Sequence, residues 1–161
     1  MITLRQANEA DNAALWDMLE PVIRAGETYA LETDLDRADA LAFWCGEGHE
    51  VWIAEIGPER LGTYYLCANK RGPGDHVANC GYISHPDAQG RGVARAMLDH
   101  SLDRARESGF LAMQFNAVVA TNARALDIWY RAGFEQTGVN RAAFRHPSAG
   151  LVDMFILYRP L

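Results

Sequence analysis

The sequence predicts one α/β domain built around a mixed sheet, and three observations lead to that class. A length of 161 residues suits a single domain with one substantial core. Strand-like segments come first, and strands then alternate with amphipathic helices. A glycine-rich turn at 89–94 joins one of those strands to a long helix. We therefore expect residues 1–161 to form one domain.

The N-terminal part predicts a strand followed by two helices that a loop separates. In chain order these are a strand at 1–5, a helix at 11–24, a loop at 27–36 and a helix at 37–45. Apolar side chains in the first helix recur with the 3.6-residue period, Asp11 is a plausible N-terminal cap, and Gly26 is a plausible stop. Pro21 predicts a kink or an early end of this helix.

The middle of the chain predicts a hairpin and a further strand. Apolar runs at 51–56 and 61–68 flank the turn 57–60, which contains Gly and Pro. The stretch 69–75 has no apolar anchor and several turn formers, which indicates an exposed loop. Residues 76–84 then form the next strand.

Strands and helices alternate in the C-terminal half. The predicted elements are a helix at 93–108, a strand at 111–119, a helix that begins at Asn122, a strand at 134–140, a loop through 146–150 and a strand at 151–158. The helix at 93–108 keeps its apolar period until Gly109, and the following helix has Thr121 or Asn122 as a cap and Gly133 as a stop. This order predicts a mixed α/β sheet.

Composition argues against several classes of partner. The net charge of −6 disfavours nucleic acid, because binding to phosphates needs clustered Lys and Arg. The longest apolar runs are short and interrupted, so we expect no membrane span. The segment 1–5 lacks the features of a signal peptide. These observations predict a cytoplasmic protein.

The cysteines and histidines do not suggest a metal site. Cys45, Cys67 and Cys80 are widely separated among apolar residues, which favours reduced cysteines that pack in the core over a disulfide, a zinc site or a nucleophile. The histidines show no spacing typical of metal ligands; they are His49, His76, His85, His100 and His146. We predict no metal.

The glycine-rich turn predicts a binding site for a pyrophosphate. A helix that begins after such a turn leaves several backbone N–H groups unpaired, and the helix dipole adds partial positive charge. Glycines let the main chain approach an anion, and arginines can contact it directly. The residues concerned are Gln89, Gly90, Arg91, Gly92, Val93, Ala94 and Arg95. A nucleotide-type cofactor is the first hypothesis, and a simple helix start after a glycine turn is the alternative.

The spacing in this turn separates three nucleotide-binding families. A P-loop ends in Gly-Lys-Ser/Thr, but the only lysine is Lys70; the dinucleotide fingerprint needs a glycine where Arg95 stands. The pattern Gln89-x-x-Gly92-x-Ala94, with Pro86 ahead of it, resembles the acetyl-CoA loop of the GNAT family of N-acetyltransferases.

A second segment carries the same resemblance. Residues 122–134 resemble the second cofactor segment of that family: Asn122 begins a helix, Ala125 follows one turn on, and the helix ends in Gly-Phe. An amphipathic core helix would explain the same features without a cofactor. The resemblance covers about residues 1–158 and implies a mostly antiparallel sheet of about seven strands with four helices, splayed between the fourth and fifth strands. It also implies acetyl-CoA as cofactor and a homodimer.

The resemblance assigns further residues to the cofactor. Backbone N–H groups at Tyr82, Ile83 and Ser84 match those that hold the thioester and the pantetheine arm. Many members place a tyrosine, the acid for the departing thiolate, where this chain has Trp129. The indole N–H can donate a hydrogen bond but is not a useful acid. Tyr130, about 100° further around the helix, is either that acid or a residue of the core beside the cofactor.

Two asparagines stand in otherwise apolar strands that should be central to the sheet. Buried amides need partners, so Asn79 and Asn116 either close the gap between splayed strands or orient the acceptor and the thioester oxygen. The run 115–119 with Thr121-Asn122 and Trp129 resembles fungal acetyltransferases that detoxify cyclic amino acids such as proline analogues.

The loop before the second helix is the predicted acceptor region. In GNAT proteins this region covers the acceptor, so Glu27, Thr28 and Tyr29 are candidates to bind an amine; a solvated turn is the alternative. The favoured activity is acetyl transfer from acetyl-CoA to a small amine or amino-acid-like acceptor, by direct attack in a ternary complex. The alternatives are a non-catalytic acyl-CoA-binding module and an enzyme that acetylates proteins or peptides.

Overall fold

The computed structural model describes residues 1–161 as a seven-stranded sheet with four α-helices. The elements are β1 (Ile2–Gln6), α1 (Asn12–Ala25), α2 (Arg37–Trp44), β2 (Glu50–Ile56), β3 (Glu59–Ala68), β4 (Val77–Ser84), α3 (Val93–Glu107), β5 (Ala112–Val119), α4 (Ala123–Arg131), β6 (Glu135–His146) and β7 (Gly150–Pro160). The strand order is β1-β2-β3-β4-β5-β7-β6. No helix is long and apolar enough to cross a membrane.

One pair of strands interrupts an otherwise antiparallel sheet. Strands β4 and β5 run parallel and pair only at Val77–Ala112 and Ala78–Met113. Beyond these two pairs the strands diverge, and the β5–β7 register shifts between Phe115 and Val118. The predicted fold, a mixed sheet splayed between its fourth and fifth strands, is confirmed.

Two apolar clusters cover the two faces of the sheet. The larger joins α3 to the sheet through residues such as Tyr64, Met97 and Met113, and it extends to Leu126 of α4. The smaller packs α1 and α2 on the opposite face through residues such as Leu15, Trp44 and Ile53. Successive side chains of a strand point to opposite faces, so β3 sends Tyr64 to the larger cluster and Tyr65 to the smaller.

The start of α1 differs from the prediction, because Asp11 makes no capping hydrogen bond to it. Its carboxylate is buried and binds the Arg5 guanidinium through two hydrogen bonds of 2.7 and 2.8 Å. Arg60 Nε lies 3.2 Å away, and the Asn8 N–H also donates to it. The side chain therefore links β1 to β3 instead of capping the helix.

The helix α1 also continues through Pro21 to Ala25, so of the two outcomes predicted for Pro21, a kink or an early end, the early end is wrong. Gly26 stops it in the left-handed conformation, with φ +64°.

The C-terminal hairpin is longer than predicted. Strand β6 runs to His146, whereas the pattern predicted an end at residue 140. Two register shifts interrupt its pairing with β7, and Ala142, at φ +51°, donates its N–H to Asp153 Oδ1 at 2.8 Å. Nearly every β6 side chain is exposed, so the alternation that reveals a half-buried strand is missing.

Candidate active site

The split between β4 and β5 opens into a cavity of about 770 Å³. Its walls come from β4, β5, the starts of α3 and α4, and the lid loop, by which we mean residues 27–36. Most predicted site residues line this cavity: Thr28, Tyr29, Asn79, Tyr82, Ile83, Ser84, Gln89, Gly90, Gly92, Val93, Ala94, Arg95, Asn116, Asn122, Ala125 and Trp129. Glu27, Arg91 and Tyr130 do not.

The loop before α3 has the geometry of an anion site. Gly90 and Gly92 adopt φ of +73° and +79°, which glycine adopts without strain. The N–H groups of Gly90 and of residues 92–95 have no backbone hydrogen-bond partner. Five donors at the positive end of a helix suit a pyrophosphate, so these residues fit the nucleotide part of acetyl-CoA.

The two arginines of this loop have different roles. Arg91 does not line the cavity and pairs with Glu59 at 2.8 Å, which ties the loop to the start of β3. Arg95 lines the cavity, although its Nε also lies 3.0 Å from Asp99. Arg124, at the start of α4, lines the cavity and has no ion-pair partner. Arg95 and Arg124 are thus the cations that an anionic ligand would meet.

Helix α4 presents a second set of predicted residues to the cavity. Asn122 caps it by accepting from the Ala125 N–H at 3.4 Å. Trp129 packs against Phe115 and Tyr82, with ring centroids 4.8 and 6.3 Å apart. Tyr130 lies on another side of the helix, is 43% exposed, and donates to Gln136 Oε1 at 3.1 Å. Of the two neighbouring aromatic residues, only Trp129 faces the cavity.

Strand β4 divides its side chains between the two faces of the sheet. The Tyr82 hydroxyl lies 2.7 Å from Ser101 Oγ of α3, and burial raises its pKa well above the usual value. Ile83 packs into the smaller cluster under α1 and α2. Ser84 is exposed at the end of the strand.

The lid loop is tied to the same strand. Tyr29 donates its hydroxyl to the main-chain oxygen of Tyr82 at 3.0 Å, and its ring packs edge-on against Trp44 at 6.0 Å. Glu27 is exposed and lies outside the cavity. Thr28 and Tyr29 are therefore the predicted acceptor residues that the fold brings to the site.

Asn79 and Asn116 lie on opposite edges of the split. Asn79 Nδ2 donates to the Gln114 main-chain oxygen at 2.8 Å, immediately beyond the last β4–β5 pair. Asn116 donates to Asn69 Oδ1 at 2.6 Å and accepts from Gln114 Nε2 at 2.9 Å. The amide of Asn79 thus bonds across the gap between β4 and β5, whereas Asn116 is exposed, against the expectation of a buried amide, and bonds to the loop after β3 and to its own strand. Both side chains line the cavity.

Tyr65 lines the cavity but was not predicted to do so. Its ring lies so close to Gly81 that a Cβ there would be 2.8 Å from Cζ and would overlap Cε1. His49 stacks on the ring with centroids 4.3 Å apart, and Trp44 contacts it edge-on at 5.0 Å. Its hydroxyl has no hydrogen-bond partner in the protein, and burial raises its pKa.

Cys80 also lines the cavity, but it lacks the properties of a nucleophile. The residue is buried, and desolvation raises the pKa of its thiol. The reactive form of cysteine is the thiolate, which this environment disfavours. The raised pKa of the thiol therefore disfavours an acyl-cysteine at this position.

Comparison with known proteins identifies the class that this fold and site define. Residues 13–134 match the acetyltransferase (GNAT) family. The chain therefore belongs to the GNAT family. The predictions of an acetyltransferase and of acetyl-CoA as its cofactor are confirmed at the level of that family.

Individual relatives agree with this assignment. A GCN5-related N-acetyltransferase from Kribbella flavida is 36% identical, with a TM-score of 0.94 and coverage of 99% of this chain and 98% of that one. A putative acetyltransferase from Salmonella typhimurium, solved with its cofactor acetyl-CoA, is 21% identical, with a TM-score of 0.85 and coverage of 100% and 94%.

A fungal protein is also similar in sequence. The N-acetyltransferase aca1 of Schizosaccharomyces pombe is 32% identical over 97 residues, which are 60% of this chain and 46% of that protein. The chain thus matches under half the length of this curated relative.

Proposed function

We propose that residues 1–161 form an N-acetyltransferase that transfers the acetyl group of acetyl-CoA to the amine of a small or amino-acid-like acceptor. One observation carries the proposal: the anion-binding loop, by which we mean residues 89–95, and the amides of Asn79 and Asn116 line the same cavity. A cofactor held at the loop and an acceptor held near the amides could meet inside it. Binding both reactants in one cavity supplies the proximity that such a reaction needs.

Bound acetyl-CoA would supply an activated thioester. Its pyrophosphate would lie on the N–H groups of residues 90–95, with Arg95 and Arg124 adding charge. Main-chain groups of Tyr82, Ile83 and Ser84 would hold the pantetheine arm where β4 and β5 diverge. Ala125 and Trp129 would flank it.

The amine would attack the thioester directly. The raised pKa of Cys80 disfavours an acyl-enzyme, which supports a ternary complex. Asn79 and Asn116 would orient the acceptor or the thioester oxygen, and Thr28 and Tyr29 would contact the acceptor from the lid loop. A thiol of pKa about 8.5 leaves as thiolate with little help, so no protonating residue is needed.

An assay of thiol release over a panel of amines tests the proposal. We expect acetyl-CoA to stabilise the fold and at least one small amine to release thiol in stoichiometric amounts with the acetylated product. Stabilisation without release would identify a non-catalytic acyl-CoA-binding module. Release only with peptides or proteins would identify the third alternative from the sequence.

We also propose that the protein is a cytoplasmic homodimer. The three cysteines are all free, which suits a reducing compartment. Strand β6 is an open edge of the sheet, and Val139 and Leu151 of the C-terminal hairpin are 42% and 58% exposed. Light scattering on the purified protein would measure the mass in solution, and a monomer at all concentrations would contradict the dimer.

A further inference from the structure

The ionisable side chains that line the cavity include no carboxylate. They are Tyr29, Tyr65, Cys80, Tyr82, His85, Arg95 and Arg124, contributed by the lid loop, β3, β4 and its end, α3 and α4. No lysine lies among the lining residues either. A base for the acceptor amine would therefore have to be His85, a phenol or a thiol.

His85 lies at the wrong end of the cavity for that task. It directly follows β4 and leads into the anion-binding loop, and its Nδ1 accepts from the Asp87 N–H at 3.2 Å. Asn79 is six residues earlier on the same strand, and at ~3.3 Å per residue that is roughly 20 Å. A hydrogen bond spans about 3 Å, so His85 does not reach an acceptor beside Asn79.

The phenols and the thiol remain protonated near neutral pH. Burial is the largest influence on all four groups and raises the pKa of Tyr29, Tyr65, Cys80 and Tyr82. The Tyr29 hydroxyl also already donates a hydrogen bond to the main-chain oxygen of Tyr82 in β4. These groups can donate hydrogen bonds to a ligand, but they are poor proton acceptors.

The cavity also disfavours a protonated acceptor. An ammonium that leaves water needs an ionic partner, and no carboxylate lines this cavity to provide one. Glu27, the acidic residue predicted to bind the amine, lies outside the cavity. A neutral amine, by contrast, can donate to the side-chain oxygen of Asn79, whose Nδ2 alone is used within the protein.

We propose that the acceptor enters as the neutral amine and that the chain therefore selects weakly basic amines, such as an α-amino group beside an amide carbonyl, over simple alkylamines. This inference rests on the proposed acetyl transfer. The nitrogen lone pair forms the new C–N bond, the C–S bond breaks, and the thiolate leaves with its electron pair. The extra proton on nitrogen passes to solvent water, not to a side chain.

The size of the preference follows from ordinary amine chemistry. An α-amino group has a pKa of about 8 and an alkylamine of about 10.4, so their neutral fractions near pH 7 differ by about 250-fold. The nucleophilicity of an amine falls as its basicity falls. For thiols the corresponding coefficient is about 0.5, and the same coefficient here halves the logarithm of the 250-fold ratio. A net preference of about tenfold remains.

Glycinamide and isobutylamine provide a matched test, because each has five non-hydrogen atoms with the same branching and they differ in basicity. We expect kcat/KM at pH 7 to favour glycinamide by about tenfold, the net preference just derived. For each acceptor, kcat/KM should rise about tenfold per pH unit and level off at that amine's own pKa. Ethylamine, 2-fluoroethylamine and 2,2-difluoroethylamine extend the comparison, since each fluorine lowers the amine pKa.

The outcomes separate this inference from the proposed function. If kcat/KM levelled off at the same pH for every acceptor, that pH would be the pKa of a base on the enzyme, and the inference would be overturned. In His85→Gln, kcat/KM should still level off at the pKa of each amine, whatever the effect of the substitution on the magnitude of the rate. Loss of this dependence on the acceptor would overturn the inference in favour of His85. An absence of thiol release with every amine at every pH would overturn the proposed function, and the inference with it.

Discussion

Asn79 and Asn116 lie on the two edges of the split sheet, and at the residue scale they allow the sharpest test of the site. If they bind the reacting groups, Asn→Ala at either position should lower kcat/KM for the true acceptor by roughly 10- to 1000-fold, the cost of one or two well-aimed hydrogen bonds in a dry site. Calorimetry should show that the affinity for acetyl-CoA survives, because the anion-binding loop is untouched.

Asn69→Ala is the matched control for these two variants. It removes the partner of Asn116 Nδ2, but Asn69 does not line the cavity. Should the two cavity asparagines serve only the sheet, Asn79→Ala would lower the free energy of unfolding by about 1 to 3 kcal/mol and leave the folded enzyme active. Asn116→Ala would then also leave the enzyme active, with a smaller loss of stability, because its hydrogen bonds are exposed. Full activity in both would remove them from the mechanism.

Tyr130 should matter little to catalysis. Its hydroxyl contacts Gln136 outside the cavity, and a thiolate of pKa about 8.5 needs little protonation. We expect Tyr130→Phe to keep kcat within about tenfold of the parent in steady-state assays. A thousandfold loss with unchanged melting temperature would show that the phenol is the acid.

Asp11 should make stability depend on acid pH. Its hydrogen bonds with Arg5 lower the pKa of the buried carboxyl from 3.8 to about 2. Its stabilisation is therefore complete above pH ~4, where the carboxyl is ionised even when unfolded, and is lost as the pH falls towards ~2. This is worth about 2 kcal/mol. Urea unfolding of the parent and Asp11→Asn across this range should show curves that converge in acid; a constant difference would contradict the pairing.

The residues that carry a motif could be predicted from the sequence, and those without one could not. Gly92 and Asn122 stand in sequence motifs at the starts of α3 and α4, where neighbouring residues alone determine the turn or the cap. Tyr65 reaches the cavity because β3 pairs with β4 and places the ring over Gly81, a contact that needs the whole sheet. Arg124 stands within the motif segment 122–134 but has no assigned role there, and only its position at the start of α4 brings it to the cavity.

At the scale of elements, the loop before α3 should control cofactor binding. Acetyl-CoA at 100 times its Kd should stabilise the parent by about 2.7 kcal/mol, seen as a higher Tm. Gly92→Val should abolish this shift. A Cβ there has room, its nearest contact being Ile2 at 3.8 Å, but φ of +79° strains a β-branched residue and should displace the N–H groups.

Gly48→Val provides the control for that variant. Gly48 also has a positive φ, of +80°, with open space around a Cβ, and it lies outside the cavity. It should cost stability but preserve the shift in Tm on addition of acetyl-CoA. An unchanged shift in Gly92→Val would refute the assignment of the loop.

Elements with a buried face were predicted more closely than exposed ones. Helix α3 and strand β4 agree with the pattern to within one residue, since their apolar periods report real burial. Strand β6 was cut short because its side chains are exposed and two bulges break its register. The continuation of α1 through Pro21 reflects packing of Leu15, Met18 and Ile23 in the core, which outweighs the local cost of proline.

At the scale of the whole molecule, acetyl-CoA should couple the two parts of the sheet. Strands β4 and β5, which join β1–β3 to β7 and β6, pair at only two positions, so a ligand in the split adds contacts between the two parts of the sheet. We expect hydrogen exchange of amides at 79–84 and 114–119 to slow by up to about 100-fold at 100 times Kd. Protection spread evenly over β1–β3 would contradict binding in the split, and Gly92→Val should show none.

The contact between Gly81 and Tyr65 constrains the order in which this lineage can change. Any side chain at position 81 would overlap the Tyr65 ring, against which His49 stacks and Trp44 packs edge-on. Gly81→Ala is therefore damaging while Tyr65 is present, and becomes tolerable only after the ring has been replaced by something smaller. The double change is therefore expected to begin at position 65, because the opposite order passes through an intermediate in which the new Cβ clashes with the Tyr65 ring.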